Sequence, residues 1–288
     1  MFLNVHRSAM HMSDYKNIQE AMQQGSGKVS IRGWIYRERG SSKLKFILLR
    51  DHSNIIQCVI ERSKVGDNQF KVADHLQIET SIQVHGDIKK DERAPTGYEI
   101  TVDSFQIIGE SHEFPITKAE DQGAEFLADN RHLHLRSRKM TAILKIRSTV
   151  FQAIDDYFRK EKFYLYHSPI FASNNCEGGS TVFKVDYFGQ EMFLAQSWQL
   201  YAEAGIFSLG NIYTIAPSFR AEKSKTSRHL TEYWHAEMEM IWNSFDDVLH
   251  HAEHVIKYIV QKVLEHHKEE LKLLKRDITK LDPTVKNR

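Results

Sequence analysis

Between Lys28 and Ile108 the chain alternates apolar and polar residues with a period of two, and this stretch restricts the possible folds more than any other feature. Val29, Ile31, Gly33 and Ile35 alternate with Ser30, Arg32, Trp34 and Tyr36, and further short runs follow at 44–50, 55–61, 82–88 and 98–107. Turn-forming clusters separate several of them: Gly40-Ser41-Ser42, Asp51-His52-Ser53-Asn54 and Pro95-Thr96-Gly97. Successive side chains of a strand point to opposite faces, so each run reads as a strand with one face in a core. Five such strands in about 80 residues fit a small closed barrel of the oligonucleotide-binding (OB) type, and half of a β-sandwich would produce the same pattern.

Beyond residue 110 the period changes. Residues 111–125 read as a polar linker, and a second domain is expected over 126–288. There Ile143, Leu144, Ile146, Val150, Phe151, Ile154 and Phe158 recur at helical spacing over 140–161, and a second long helical stretch is expected over 246–276. Short strands alternate with turns between them, so the whole is α+β. Ahead of the barrel, residues 1–27 form a helical extension over 4–24 that ends at Gly25-Ser26-Gly27. Hydrophobic residues make up 41% of the chain, but no uninterrupted apolar run exceeds four, whereas a membrane-spanning helix needs about 20. The N-terminus lacks the apolar stretch of a secretory signal. Cys58 and Cys176 match no zinc spacing and cannot staple a fold of this size, which points to a reducing, cytoplasmic setting.

The net charge of +1 conceals a basic segment. Lys28, Arg32, Arg37, Arg39, Lys43, Lys45 and Arg50 face a single acid, Glu38, and are interleaved with Trp34, Tyr36 and Phe46. Cations for phosphate and flat faces for unstacked bases are what single-stranded nucleic acid needs, although barrel aromatics also serve as core. Two weaker patterns are present. Gly25-Ser26-Gly27-Lys28 has the ending of a phosphate-binding loop, but Met22 and Val29 occupy positions where that loop needs glycine and Ser/Thr. His250, His251 and His254 include an i,i+4 pair with no placed third ligand, which reads as a solvated helix face. The strongest pattern lies over 211–242. Ile212, Thr214, Ala216, Ser218, Arg220 and Glu222 share one strand face. A second strand puts Trp234, Ala236, Met238, Met240 and Trp242 on one side and His235, Glu237 and Glu239 on the other. Between them Lys223, Lys225, Arg228 and His229 form a cationic loop suited to a polyphosphate, and a surface hairpin with cross-strand ion pairs would read the same way.

Phe219-Arg220-Ala221-Glu222, the basic loop and Arg228-His229-Leu230-Thr231-Glu232 together resemble motif 2 of the class II aminoacyl-tRNA synthetases. Cys176-Glu177-Gly178-Gly179-Ser180-Thr181, Tyr187-Phe188-Gly189 and Gln196-Ser197-Trp198-Gln199-Leu200-Tyr201 are similar to the aspartyl/asparaginyl branch of that family. Arg32-Gly33-Trp34-Ile35 and Leu49-Arg50-Asp51 resemble its anticodon-binding barrel, and the helix before Ser168-Pro169-Ile170 resembles motif 1, the dimer-forming element. The resemblance implies an N-terminal five-stranded OB-fold barrel followed by an antiparallel class II catalytic domain. It implies ATP-dependent activation of asparagine, transfer to tRNA(Asn), a homodimer, and Mg2+ accompanying ATP. By the same resemblance Glu177, Gln199, Ala202 and Arg220 bind the amino acid, and Arg220, Glu222, Arg228, His229 and Leu230 bind ATP. Phe46 and Gln57 read the anticodon, with Arg32 on its backbone. In aspartate-specific relatives a lysine stands where this chain has Ala202, and a proline where it has Trp198; both differences point to asparagine, with the aspartate enzyme as the alternative. Motif 3 and the magnesium-holding acids are absent from the sequence, so no metal site is assigned and the 288 residues alone are expected to be inactive. A non-catalytic relative that binds tRNA through the barrel is the reading from a different functional class.

Overall fold

The computed structural model describes residues 15–116, 122–173, 181–223, 226 and 228–281. They form two compact units that divide between His134 and Leu135. In the first, α1 (Ile18–Gln24) precedes β1 (Gly27–Gly40), β2 (Leu44–Arg50), β3 (Ile55–Glu61), α2 (Arg62–Asp74), β4 (Ser81–Lys90) and β5 (Tyr98–Gly109). The strands close in the order β1-β2-β3-β5-β4, which settles the choice between barrel and sandwich. All pairs are antiparallel except β3–β5. The period-two pattern explains the interior: Ile31, Ile35, Ile47, Leu49, Ile56, Cys58, Ile82 and Val102 are buried in one cluster with Ile18 of α1 and Phe70 of α2. Gly33 and Gly86 lie where neighbouring backbone comes too close for a side chain; a Cβ would stand 2.4 Å from the Arg50 carbonyl oxygen and 2.3 Å from that of Thr101.

Short helices α3 (Ala124–Asp129) and α4 (Arg131–His134) follow. They group with the first unit. Residues 117–121, within the expected linker, lie outside the described residues.

The second unit contains α5 (Arg138–Lys160), β6 (Tyr164–Leu165), β7 (Phe171–Ala172), β8 (Lys184–Tyr187), β9 (Gln190–Leu194), α6 (Gln199–Leu209), β10 (Ile212–Phe219), β11 (Glu232–Glu239), α7 (Phe245–His266) and α8 (Lys268–Leu273). β11-β10-β6 form one three-stranded sheet, with β6 parallel to β10, and β7-β9-β8 form an antiparallel second one. α5 begins at Ser137, whose hydroxyl accepts from Met140 N. Its apolar face packs Ile154, Tyr157 and Phe158 with Phe163 and Tyr213, and Val255, Tyr258 and Ile259 of α7 pack against this cluster. The Phe158 and Tyr213 rings stack at 4.9 Å.

Several expected elements end differently. The long C-terminal helix breaks at His267, where the backbone leaves helical geometry (φ −125°) and Thr149 Oγ1 lies 2.6 Å from His267 Nε2. α8 follows the break and buries Leu271. In the lead-in, helix is confined among the described residues to 18–24, where Asn17 and Glu20 form a reciprocal cap. Gly25 ends that helix in the left-handed region (φ 79°) and Lys28 pairs with Asp87 at 2.8 Å, so Gly25–Lys28 is a cap and strand entry rather than a phosphate loop. The histidines of α7 are also engaged. The Tyr157 hydroxyl lies 3.0 Å from His251 Nδ1, and His254 Nδ1 is 2.7 Å from the His250 carbonyl. Among the described residues no cluster of His, Cys, Asp or Glu could hold a metal, and no helix is long and apolar enough to cross a membrane.

Candidate functional site

Two surfaces carry the candidate chemistry, one on each unit. On the barrel, Phe46 pairs with Val59, and Gln57 with Leu48 and Glu99. Directly opposed residues share a face, so Phe46, Leu48, Gln57 and Val59 line the outside while Ile47, Leu49 and Cys58 fill the inside. Arg39, opposite Phe46 on β1, holds its guanidinium 5.4 Å from the Phe46 ring, and Arg37 lies 4.7 Å from the Tyr36 ring, at the bulge between Ile35 and Arg37. Trp34 is 46% exposed. None of the three aromatics in the basic segment belongs to the barrel's core cluster. Gln57 is buried, and its Nε2 donates to Glu99 Oε2 at 3.0 Å. The Glu99 carboxylate also meets Lys89 at 3.1 Å.

Arg32 is placed elsewhere. It points outward from the half of β1 that pairs with β4, opposite Gln83, and its guanidinium lies 3.5 Å over the Tyr15 ring. The structure therefore brings Phe46 and Gln57 together and leaves Arg32 on another part of the wall. The basic bias is also smaller than the sequence suggests. Lys28 pairs with Asp87 and Asp103, Lys45 with Asp74 at 3.1 Å, and Arg50 with Glu79. Replacing Phe46 with alanine is expected to weaken binding of a single-stranded oligonucleotide by about 1–3 kcal/mol, the worth of one base–aromatic stack. Unchanged affinity for a single-stranded RNA oligonucleotide in a filter-binding titration would make Phe46 packing only.

On the second unit, β10 and β11 pair from Ile212 opposite Glu239 to Phe219 opposite Glu232. Tyr213, Ile215 and Met238 face the helices, so the apolar back expected from the sequence is present. The other face carries Thr214, Ser218, His235, Glu237 and Glu239. Glu237 ties this front to the start of α6: Ser197 Oγ donates to Glu237 Oε1 at 2.6 Å and Trp198 N to Oε2 at 3.2 Å. Gln199 N donates to Ser197 Oγ at 3.1 Å, and Gln199 Nε2 to Glu203 Oε1 at 2.9 Å. Burial, reinforced by Glu203 and then Glu237, raises the Glu239 carboxyl above its ordinary range. Three crowded carboxylates give the front a pull on cationic groups.

The strand ends sooner than the alternation implied. β10 stops at Phe219; Arg220 N still donates to Thr231 O at 3.0 Å, but Ala221 N turns to Thr181 O at 2.8 Å. Alternation thus carries half-buried Arg220 on the Ser218 side, while Glu222 lies past the strand and exposed. Arg228, His229 and Leu230 are exposed between β10 and β11, with His229 hydrogen-bonded to Thr226. Glu177 and Lys225 lie outside the described residues. Ala202 is fully buried in a cluster with Trp198 and Ile212, on which Tyr166 packs, and Ile212 shares the strand face of Thr214 and Glu237. The Ser197–Glu237 link escaped the sequence pattern because its partners lie 40 residues apart.

Comparison with known proteins matches the same two regions. Residues 29–108 match an OB-fold nucleic acid binding domain, and residues 123–286 match the class II tRNA synthetases (D, K and N). The asparagine–tRNA ligase of Thermoplasma acidophilum is 51% identical over 250 residues, 87% of this chain and 58% of that protein. The corresponding ligase of Thermococcus gammatolerans is 43% identical, over 90% of this chain and 59% of its own length. Among solved structures, asparaginyl-tRNA synthetase from Pyrococcus horikoshii complexed with asparaginyl-adenylate superposes with a TM-score of 0.89 at 39% identity. The superposition covers 95% of this chain and 63% of that one. A putative aspartyl-tRNA synthetase from Leishmania major gives 0.80 at 26% identity, over 92% of this chain and 56% of that chain. The chain thus spans about three-fifths of the length of the relatives it resembles. With an OB-fold match ahead of the synthetase match, and with that family's model matched over more than half of the chain's length, the chain belongs to the class II tRNA synthetases of the D, K and N group.

Proposed function

We propose that the protein activates asparagine with ATP and transfers the aminoacyl group to tRNA(Asn) in the cytoplasm. The observation that carries this reading is the likeness, over 95% of the chain, to a synthetase whose solved structure contains asparaginyl-adenylate. Residues 28–110 serve as the anticodon-binding module, with Phe46 stacking on a base and Gln57 at a base edge. Residues 126–288 belong to the catalytic domain, and α5, the motif 1 helix, is the dimer-forming element. Arg220 holds the α-phosphate and the substrate carboxylate, a task suited to a permanently charged planar fork with several donors. Glu222 and the Arg228–Leu230 stretch contact adenine and the outer phosphates. Glu177 and the acidic front receive the substrate ammonium, and Gln199, whose backbone N–H is held by Ser197 and whose side chain donates to Glu203, orients the amino acid. The substrate carboxylate attacks the α-phosphorus in line as the α–β bond breaks and pyrophosphate leaves, so the side chains act by positioning and charge stabilisation rather than as nucleophiles. Mg2+ would supply further charge to the phosphates. No cluster among the described residues fits a metal, and no step is assigned through one.

Ala202 contributes by what it lacks. An ammonium group at that position would pair with a side-chain carboxylate, and alanine removes the pairing. Burying a carboxylate without a partner costs several kcal/mol, enough for a preference of order 10³ for the neutral amide. The test is ATP–pyrophosphate exchange by the full-length enzyme that contains this chain, with each amino acid in turn. A higher kcat/KM for aspartate than for asparagine would assign the protein to the aspartate enzymes.

A further inference from the structure

Arg32 is half-buried on the wall of the barrel, yet among the described residues its guanidinium forms no hydrogen bond and no ion pair. Its Nε is shielded from solvent without a partner. Lys28, Lys45 and Arg50 of the same basic segment are each paired with a carboxylate. The Arg32 guanidinium is nonetheless fixed in place. It lies 3.5 Å over the Tyr15 ring, the Tyr15 hydroxyl donates to Gln83 Oε1 at 2.8 Å, and Gln83 Nε2 donates to Gln106 Oε1 at 2.7 Å. The Tyr15 ring also meets the His85 ring at 5.8 Å, and His85 Nδ1 lies 2.8 Å from Ser30 Oγ. The strand register surrounds Arg32 with Ser30 and Trp34 on β1 and with Ser81, Gln83 and His85 on β4, none of them acidic. The acid that ends this row, Asp87, is held by Lys28 at 2.8 Å. A planar cation stacked on a ring, with its in-plane donors unspent and no counter-charge beside it, is a receptor for an oxyanion.

We propose that Arg32, seated on Tyr15, is a second RNA contact on the barrel, which holds a backbone phosphate outside the anticodon triplet. The assignment rests on the reading of residues 28–110 as the anticodon-binding module. Arg32 precedes Arg39, the residue opposite Phe46, by seven positions on β1, which is roughly 20 Å of strand at about 3.3 Å per residue. The phosphate it reaches therefore belongs to the stem side of the loop rather than to the base stacked on Phe46. Trp34, 46% exposed, shares the outer face of β1 with Arg32 and Tyr36 and lies between them, so the two contacts lie along one strand. One isolated cation suits a phosphodiester, which carries a single charge and is already anchored elsewhere on the barrel. An acidic peptide presents several carboxylates and needs several cations, which this part of the wall lacks.

The test is a binding titration of the purified full chain with a synthetic anticodon stem–loop of tRNA(Asn), in which phosphates are replaced one at a time by uncharged methylphosphonates. Arg32→Gln is expected to weaken the unmodified hairpin about tenfold, the low end for loss of a hydrogen bond to a charged group. It should also lower the slope of log K against log salt by about 0.7–0.9, the share of one phosphate contact. Neutralising one phosphate on the stem side of the anticodon should cost the wild type a similar factor and cost Arg32→Gln nothing further. Arg32→Lys keeps the charge, so it should keep the salt slope and recover part of the affinity, which a folding defect would not do. Phe46→Ala should weaken the hairpin with the wild-type slope, because a stack releases no counterion. Coupling of Arg32 to a phosphate inside the triplet, or to no phosphate at all, would overturn the proposal and leave the anticodon-binding reading standing. A wild-type chain that does not bind the hairpin would overturn both.

Discussion

Glu79→Ala is expected to destabilise the barrel by about 3–5 kcal/mol, because it leaves the Arg50 guanidinium buried without its counter-charge. The pair is bidentate, with Arg50 Nη1 2.8 Å from Glu79 Oε1 and Nη2 3.0 Å from Oε2. The two side chains are only 10% and 3% exposed. For a domain of this size such a loss lowers Tm by roughly 15 °C or more. Glu79 stands just before β4, and its backbone N–H donates to Ile35 O at 2.7 Å, next to the bulge that presents Tyr36. The Arg50 guanidinium itself lies 5.6 Å from the Tyr36 ring. The substitution should therefore loosen the candidate nucleic-acid face as well as the barrel. A double replacement, Arg50→Met with Glu79→Leu, removes both charges and should recover most of the stability, since apolar isosteres of a buried pair are often neutral. Denaturant melts of the variants decide the matter: a loss below about 1 kcal/mol for Glu79→Ala would rank the pair with solvent-screened surface bridges.

The largest functional effect is expected from Arg220→Ala, at about 10²- to 10³-fold weaker binding of a sulfamoyl analogue of asparaginyl-adenylate. That range is typical for removal of one preorganised donor from a developing anion. Because Arg220 follows the last residue of β10 and is half-buried rather than core, the fold should survive, with an unchanged far-UV spectrum and melting curve. Lysine at this position should recover only part of the affinity, since a single ammonium cannot bridge the analogue's sulfonyl and acyl carbonyl oxygens as a planar fork does. Binding of the analogue by Arg220→Ala at wild-type strength would remove Arg220 from the site.

Period-two alternation and turn residues located the five strands, and the inside and outside of the barrel followed from the same alternation, as Ile47 and Leu49 against Phe46 and Leu48 illustrate. The apolar back of the β10–β11 sheet was legible for the same reason: the register opposes Tyr213 to Met238 and Thr214 to Glu237, keeping like faces together. The motif 2 run, with Arg220 at its centre, was readable as a string of residue types. Each of these depends on neighbours within a few positions along the chain, where strand geometry dictates what a side chain can face.

Tertiary structure decided what depends on distant partners. Arg32 and Arg50 look alike in the sequence, yet one stacks on Tyr15 and the other is locked to Glu79. The alternation continues past Phe219, but the chain leaves the sheet because Thr181 draws Ala221 N away. The helical pattern runs through His267, but the helix breaks there and Leu271 turns into the packing. Ala202, grouped by residue type with the candidate site, is enclosed by Trp198 and by Ile212 of that same sheet face. Ser197 with Glu237 and Gln196 with Thr181 are joined across 40 and 15 residues. Local pattern specifies which face of an element is apolar, whereas barrel closure, strand register and helix docking bring remote polar groups within hydrogen-bonding distance, and only those decide which groups are satisfied and which remain for a ligand.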